Sequence, residues 1–170
     1  MTDREAEFVE FVRSRGPVLR RTAFLLCGDW HRAEDLVQTA LLKLFRAWSR
    51  IRATEAVDAY ARTTLVRTVM DDSRLLRYRR ERVSDSLPET VVPAEDTDAT
   101  LDARRVLAML PPRQRAVIVL RYWEDLPIDE VARILGCSDG TVKSQAAKGL
   151  ATLRKLLTSR PQLLALEALR

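Results

Sequence analysis

The sequence predicts an all-α protein in which two small helical domains are joined by a flexible acidic linker. Only 5 of the 170 residues are Gly and 7 are Pro, too few for a turn-rich β fold. Long runs of Ala, Leu, Arg and Glu favour helices, and their apolar residues recur at spacings of three and four, as on a helix with one buried face. Between two such blocks, residues 83–102 contain six acidic and no basic residues. We therefore expect domains at 4–82 and 103–158, the linker at 83–102 and a tail at 159–170.

The first two predicted helices lie on either side of a Gly-Pro step. Residues 4–15 form an amphipathic pattern, and a second apolar pattern follows at about 18–27. Gly16-Pro17 should separate the two helices, because proline lacks the N–H that a helix interior needs. Asp29 then offers a side-chain cap for the next helix.

The third helix, at about 30–48, has the strongest periodicity in the first half of the chain. Its apolar face comprises Ala33, Leu36, Val37, Ala40, Leu41, Leu44, Phe45 and Trp48. Asp35 and Gln38 are three residues apart and share an exposed stripe, and Leu42 lies beside them, away from the main apolar face. This stripe is either a partner surface or an ordinary solvated face.

The fourth helix, at about 55–80, begins acidic and ends basic. From Tyr60 to Arg82 there are seven arginines and three acidic residues, so this segment carries a net charge of +4. Tyr60 and Tyr78 lie among the arginines. Arginines that hold phosphates next to rings that stack on bases are typical of single-strand binding. A solvated, arginine-rich helix end, favoured by the helix dipole, explains the same composition.

The second domain begins near Thr100, with a helix that ends at Pro111-Pro112 and another at about 112–123. Residues 126–154 then predict two helices and a tight turn. Pro127 suits a first helical turn, and Gly136 suits the left-handed residue that ends a helix. Ser138 offers a side-chain oxygen to cap the second helix, and Asp139 places a negative charge in its first turn.

The second helix of this pair has a basic outer face of short side chains. Its apolar face comprises Val142, Ala146, Leu150 and Leu153, and its outer face comprises Lys143, Ser144, Ala147 and Lys148. Such a face lets a helix approach DNA closely, as in a helix-turn-helix. An ordinary helical hairpin with a solvated basic face is the alternative.

Composition and charge narrow the classes of function. The net charge of +5 and the sequence pI of about 9.7 weakly suggest a polyanionic partner. Cys27 and Cys137 lack metal-ligand spacing, His31 is the single histidine, and we expect no cofactor. Residues 1–15 are charged throughout, unlike a signal peptide, and no apolar run approaches the roughly 18 residues of a membrane span. We expect a cytoplasmic protein that does not insert into membranes.

The order of these segments resembles that of the sigma-70 family of bacterial RNA polymerase initiation factors. The similarity is to the small two-domain extracytoplasmic-function (ECF) type, and within it to the SigE-like group of actinobacteria. It covers roughly residues 8–157. In the first domain, AEDLVQ at 33–38 with the apolar positions up to Trp48 is similar to the family's polymerase-binding helix. In the second, LPPRQR at 110–115, EVARILG at 130–136 and GTVKS at 140–144 are similar to its promoter-reading domain.

The resemblance implies three binding surfaces. The coiled-coil clamp helices of the polymerase β′ subunit would bind Asp35, Leu36, Gln38, Thr39 and Leu42. The −10 promoter element would be held as it melts by Tyr60, Arg62, Arg67, Asp71, Arg74, Arg77, Arg79 and Arg80. The −35 element would be read in the major groove by Ser138, Thr141, Lys143, Ser144, Gln145, Ala147 and Lys148. The family also implies a contact of the second domain with the β flap and an anti-sigma factor as a further partner.

The sequence departs from the family pattern at positions that bear on promoter choice. Arg67 stands where the melting helix often has Asn, and Pro127 replaces the usual Ser or Thr cap. Ala147 and Lys148 stand where relatives often have larger residues or Arg. The −35 sequence therefore cannot be copied from any relative.

Two other classes of protein compete with this interpretation. A stand-alone helix-turn-helix regulator fits residues 126–154 equally well, but it leaves the helix at 30–48 unexplained. A nuclease would use Asp71 and Asp72 as paired metal ligands. The sequence has no Gly-rich phosphate loop and no His cluster, so we expect a non-enzyme and assign any catalysis to the polymerase.

Overall fold

A computed structural model describes residues 3–51, 54–82 and 105–158 of the chain. Throughout these residues the regular secondary structure is helical, which confirms the predicted all-α class. The chain divides into two compact units, Met1–Ser84 and Asp85–Arg170. The predicted linker, the predicted start of the next helix at 101–104 and the tail at 159–170 lie outside the described residues, and the domain boundaries remain predictions.

The first unit is built on three α-helices within its described residues. These are α1 (Asp3–Cys27), α2 (Trp30–Ala47) and α3 (Thr54–Arg82), with a short 3₁₀ turn at Trp48–Arg50. The apolar faces of the three helices meet in one core, whose fully buried side chains include Leu26, Leu44, Leu65, Val66 and Val69. Asp29 caps α2 as predicted, because its Oδ1 accepts a hydrogen bond from the Arg32 N–H at 2.7 Å.

The prediction of a helix break at Gly16-Pro17 is wrong, because α1 runs through both residues as one helix. Proline removes only one backbone hydrogen bond, and tertiary packing on both sides of it offsets that loss. Before the proline, the Phe8 ring packs edge-on against Phe45 of α2, with centroids 4.9 Å apart. After it, Phe24 stacks on Trp30 at 4.0 Å. Both halves of α1 are therefore held against the same neighbouring helix.

The last third of α3 projects beyond this core. The buried side chains of α3 end at Val69, and from Met70 to Glu81 every side chain is exposed or half-buried. Residues 77–81 are exposed all around the helix. The basic end of α3 is therefore presented to solvent on all sides, as a solvated helix end or a ligand-binding surface would be.

The second unit contains the predicted helix-turn-helix. Residues 105–108 are helical, and they precede α4 (Pro112–Ile118), a π-helical turn (Val119–Trp123), α5 (Ile128–Leu135) and α6 (Asp139–Thr158). Gly136 has φ +61° and ends α5, and Ser138 Oγ accepts from the Thr141 N–H at 3.2 Å, so both predicted caps are confirmed. Pro127 occupies the N-cap position of α5 and not its first helical turn.

Two packing features of the second unit have no counterpart in the sequence pattern. Arg115 is buried and donates through Nη2 to the carbonyl oxygens of Ala108 and Leu110, so it fastens the preceding helical segment to α4. Gly149 is buried in the middle of α6, where a Cβ would lie 2.9 Å from Ile118 Cγ1. α4 and α6 approach closely because residue 149 has no side chain.

Candidate protein- and nucleic-acid-binding surfaces

The outer face of α2 carries four of the five residues predicted to bind a protein partner. Asp35, Gln38, Thr39 and Leu42 are exposed, and the Leu42 side chain is 62% accessible although it is apolar. The Thr39 hydroxyl donates to the Asp35 carbonyl at 2.9 Å, one turn back along the helix. An exposed leucine among short polar side chains is a feature of contact surfaces.

The prediction that Leu36 shares this exposed face is wrong. Leu36 is 7% accessible and belongs to the core with Ala33, Val37 and Ala40. Helical spacing places it one position from Asp35 and toward α1 and α3. Leu36 holds α2 in the core, so we assign it no contact with a partner.

An apolar groove adjoins the exposed face of α2, between α2 and the first half of α1. It encloses about 490 Å³ and is lined by Glu5, Phe8, Val9, Gln38, Leu41, Leu42 and Phe45. Gln38 and Leu42 belong to both the groove and the exposed face, so the two form one continuous surface. The sequence pattern missed Val9, because its role depends on the packing of α1 against α2.

Four of the eight residues predicted to hold the −10 element lie, together with Tyr78, on one exposed stripe of α3, which we call the α3 stripe. It consists of Tyr60, Arg67, Asp71, Arg74 and Tyr78, at helical spacings of seven, four, three and four. Arg62 does not share it, because it is half-buried and lies on another side of the helix. Arg77, Arg79 and Arg80 are exposed on the projecting end, where they surround the helix.

Two adjacent carboxylates on α3 have different surroundings. Asp72 lies toward α2, and its Oδ2 accepts from Arg32 Nε at 2.6 Å. Asp71 points to solvent and pairs with Arg74 at 3.3 Å. The two side chains therefore do not converge on a common metal position, and within the described part of the chain no group of three or more His, Cys, Asp or Glu side chains is placed to hold a metal ion.

The helix α6 presents the predicted outer face to solvent. Lys143, Ser144, Ala147 and Lys148 are exposed, whereas Val142 is buried on the opposite side. Ser138 is exposed at the helix start, and Thr141 and Gln145 are half-buried at the edge of the face. Gly140, which the sequence analysis named only as part of the motif at 140–144, is exposed and precedes Ser144 and Ala147 by four and seven residues. Its lack of a side chain clears the start of this face for close approach to a ligand.

One structural finding concerns membranes. Within the described ranges, no helix is both long enough and apolar enough to cross a bilayer.

Comparison with known proteins places both units in one family. Family models for sigma-70 region 2 and sigma-70 region 4 match residues 11–82 and 100–153, respectively. The RNA polymerase sigma-E factor of Streptomyces coelicolor is 40% identical over 158 residues, covering 91% of this chain and 88% of that protein. The ECF RNA polymerase sigma factor SigM of Mycobacterium tuberculosis is 32% identical over 155 residues, covering 88% of this chain and 76% of that protein.

Solved structures agree with these sequence relatives. The sigma factor RpoE of Bartonella quintana, solved with the anti-sigma factor NepR, is 25% identical and superposes with a TM-score of 0.75, covering 91% of this chain and 98% of that chain. CnrH, solved with the cytosolic domain of CnrY, has a TM-score of 0.61 at 19% identity, covers 92% of this chain and 90% of that chain, and supports the fold alone. Both family regions thus occur in order on one all-α chain that is alignable with named ECF factors over most of its length. The chain therefore belongs to the sigma-70 family of RNA polymerase sigma factors, among those of the ECF type.

Proposed function

We propose that the chain is a transcription initiation factor that binds core RNA polymerase, recognises the −35 and −10 promoter elements and promotes strand opening at the −10 element. The observation that carries this proposal is the presence, on one chain, of a sigma-70 region 2 unit and a region 4 unit. Of the three surfaces described above, we assign one to a protein partner and two to segments of promoter DNA.

The polymerase contact is assigned to the exposed face of α2. Asp35, Gln38, Thr39 and Leu42 offer polar groups around one large apolar side chain, and the groove beside them extends the contact toward α1. Interfaces of this kind place an apolar anchor inside a polar rim. We assign the β′ clamp helices to this surface and the β flap to the second unit.

The −10 contact is assigned to the α3 stripe and the projecting end of α3. Arginines there meet phosphates, and the exposed rings of Tyr60 and Tyr78 offer stacking partners to unpaired bases. Taking a base out of the stack costs a few kcal/mol, which stacking and phosphate contacts offset. A surface that binds only separated strands in this way favours melting.

The −35 contact is assigned to the start of α6. Short side chains at 140, 144 and 147 let the helix enter the major groove, where Lys143, Ser144 and Gln145 lie within reach of base edges. Lys148 and Lys155 lie further along α6, and we assign them to phosphates, which position the helix without reading sequence.

An anti-sigma factor is a further proposed partner. The related sigma factor RpoE of Bartonella quintana was solved with a protein partner that is named as an anti-sigma factor. An inhibitor that covered the α2 face would block polymerase binding directly. Because its targets are core polymerase and promoter DNA, we propose that the protein acts in the cytoplasm.

The proposal is tested by adding the purified chain to sigma-free core RNA polymerase with fragmented genomic DNA. We expect a stable complex and transcripts with discrete start sites, which identify the promoters used. The matched variant carries Asp35→Arg and Gln38→Arg, both exposed changes that leave the core intact, and it should form no complex. Duplex DNA binding by the chain without any complex with core polymerase would instead identify a stand-alone regulator.

A further inference from the structure

Asp71 is the one acidic member of the α3 stripe, and its place there has no structural explanation. The Asp71 side chain is 65% accessible, and that of its partner Arg74 is 76% accessible. A pair this exposed contributes little to stability and separates at little cost. The neighbouring Asp72, by contrast, holds α3 to α2 through Arg32.

The neighbours of Asp71 on the helix surface supply the other parts of a base-binding site. Arg67 lies four residues before it, Arg74 three residues after it and Leu75 four residues after it, so all three border it on the helix surface. The two arginines suit the phosphates on either side of a nucleotide. Leu75, 47% accessible although it is apolar, offers a surface to the face of a base. Sequence analysis did not single out Leu75.

A carboxylate in a phosphate-binding surface must face something other than phosphate. Ionised Asp accepts hydrogen bonds and cannot donate them, so it repels phosphate and attracts hydrogen-bond donors, which within a DNA strand are the N–H groups of the bases. The Watson–Crick edge of an unpaired guanine presents two adjacent donors, N1–H and N2–H, which match the two carboxylate oxygens. Adenine and cytosine each present one amino donor beside a ring nitrogen that accepts, and thymine presents one N–H between two carbonyl groups.

We propose that Asp71 selects an unpaired guanine in the opened −10 strand, with Leu75 against the face of that base. This inference rests on the proposed function, since it requires α3 to hold a separated strand. On binding, Arg74 leaves Asp71 for a phosphate, and the freed carboxylate accepts both guanine donors. In duplex DNA the same edge of guanine is paired with cytosine, so the contact forms only after opening.

The test uses holoenzyme reconstituted from core polymerase and the full chain. Single-stranded oligonucleotides with a randomised −10 segment are selected for binding, and the bound pool is sequenced. We expect guanine to be enriched about tenfold at one position with the wild-type chain, the scale of one bidentate base contact. Asp71→Asn preserves shape but offers an amide, so the enrichment should fall to near parity. Asp72→Asn is the matched control and should leave the enrichment intact.

A second substrate tests whether Asp71 recognises the amino group of guanine. Inosine retains N1–H but lacks the amino group, so replacing the selected guanine with inosine should weaken binding to wild type and leave Asp71→Asn nearly unaffected. Leu75→Ala should weaken binding without changing the base preferred. Unchanged enrichment in Asp71→Asn, equal weakening for all bases, or selection of another base by the wild type would each overturn the inference. Wild-type holoenzyme that binds no open strand at all would overturn the −10 assignment itself.

Discussion

Leu36 and Leu42 show how two leucines on one helix acquire different roles. Leu36 is 7% accessible and Leu42 is 62% accessible, although both lie in the segment that resembles the polymerase-binding helix. The apolar period of the helix placed Leu36 on the inner face, whereas the family resemblance placed both leucines on the polymerase-binding surface. The packing of α1 and α3 against α2 buries Leu36 as the period predicts, because burial depends on which neighbours pack against each side of a helix.

Truncation of Leu36 should lower stability, whereas truncation of Leu42 should lower polymerase affinity. Leu36→Ala should lower the free energy of unfolding by about 2–5 kcal/mol, because it leaves a cavity in the core. Leu42→Ala should leave stability within about 0.5 kcal/mol but weaken core-polymerase affinity about tenfold, as expected for an apolar anchor. Urea denaturation and a polymerase-binding titration measure the two effects. Unchanged polymerase affinity for Leu42→Ala would contradict the docking assignment.

The close contact of Gly149 with Ile118 predicts that an added side chain would disturb the packing of α4 against α6. In an open helix position Gly→Ala stabilises by up to about 1 kcal/mol, but here the new Cβ would lie 2.9 Å from Ile118 Cγ1. Overpacking costs about 1–3 kcal/mol, so Gly149→Ala should destabilise the contact between α4 and α6 by roughly 1 kcal/mol. Gly140→Ala is the control in the same helix, since its Cβ meets nothing closer than 3.8 Å. Faster hydrogen exchange of α6 amides should appear only in Gly149→Ala, and equal exchange in both variants would refute the close approach.

Among the helices, local signals predicted α5 and α6 well and α1 poorly. Gly136 and Ser138 act on their own backbone or on residues within one turn, so their spacing alone predicts the caps. Pro17 is also a local signal, but the contacts that Phe8 and Phe24 make with residues outside α1 outweigh it. The groove beside α2 was missed for the same reason, since it exists only once α1 has packed.

Two of the exposed lysines of α6, Lys143 and Lys148, should affect DNA binding differently. Lys148→Ala should weaken holoenzyme binding to all duplex sequences by one common factor and lower the slope of log affinity against log salt by about 0.9, as for one lost phosphate contact. Lys143→Ala should instead reduce discrimination among −35 sequences, by about 1–3 kcal/mol at one base pair. Fluorescence anisotropy over a series of salt concentrations measures both. Core-polymerase affinity is the control, and its loss in either variant would contradict the division between α2 and α6.

At the scale of the whole molecule, the order of two helical units was predictable, and individual side-chain environments were less so. Composition and helical period predict the all-α class, and the motifs at 33–38 and 110–144 predict the family that the comparisons confirm. Exposure along α3 was not predictable in the same way. Arg62 and Arg67 are both arginines of one basic run, yet only Arg67 lies on the exposed stripe, because the position of α3 against its neighbours sets its orientation.

The most direct measurement of the central claim is the permanganate reactivity of thymines in the −10 element of a mapped promoter. Permanganate oxidises unpaired thymines, so it reports strand opening at single positions. The account predicts reactive −10 thymines when core polymerase and the wild-type chain are both present, and none with either protein alone or with the Asp35→Arg, Gln38→Arg variant. Thymines that stay unreactive in a fully formed complex would contradict the claim that this chain opens promoters.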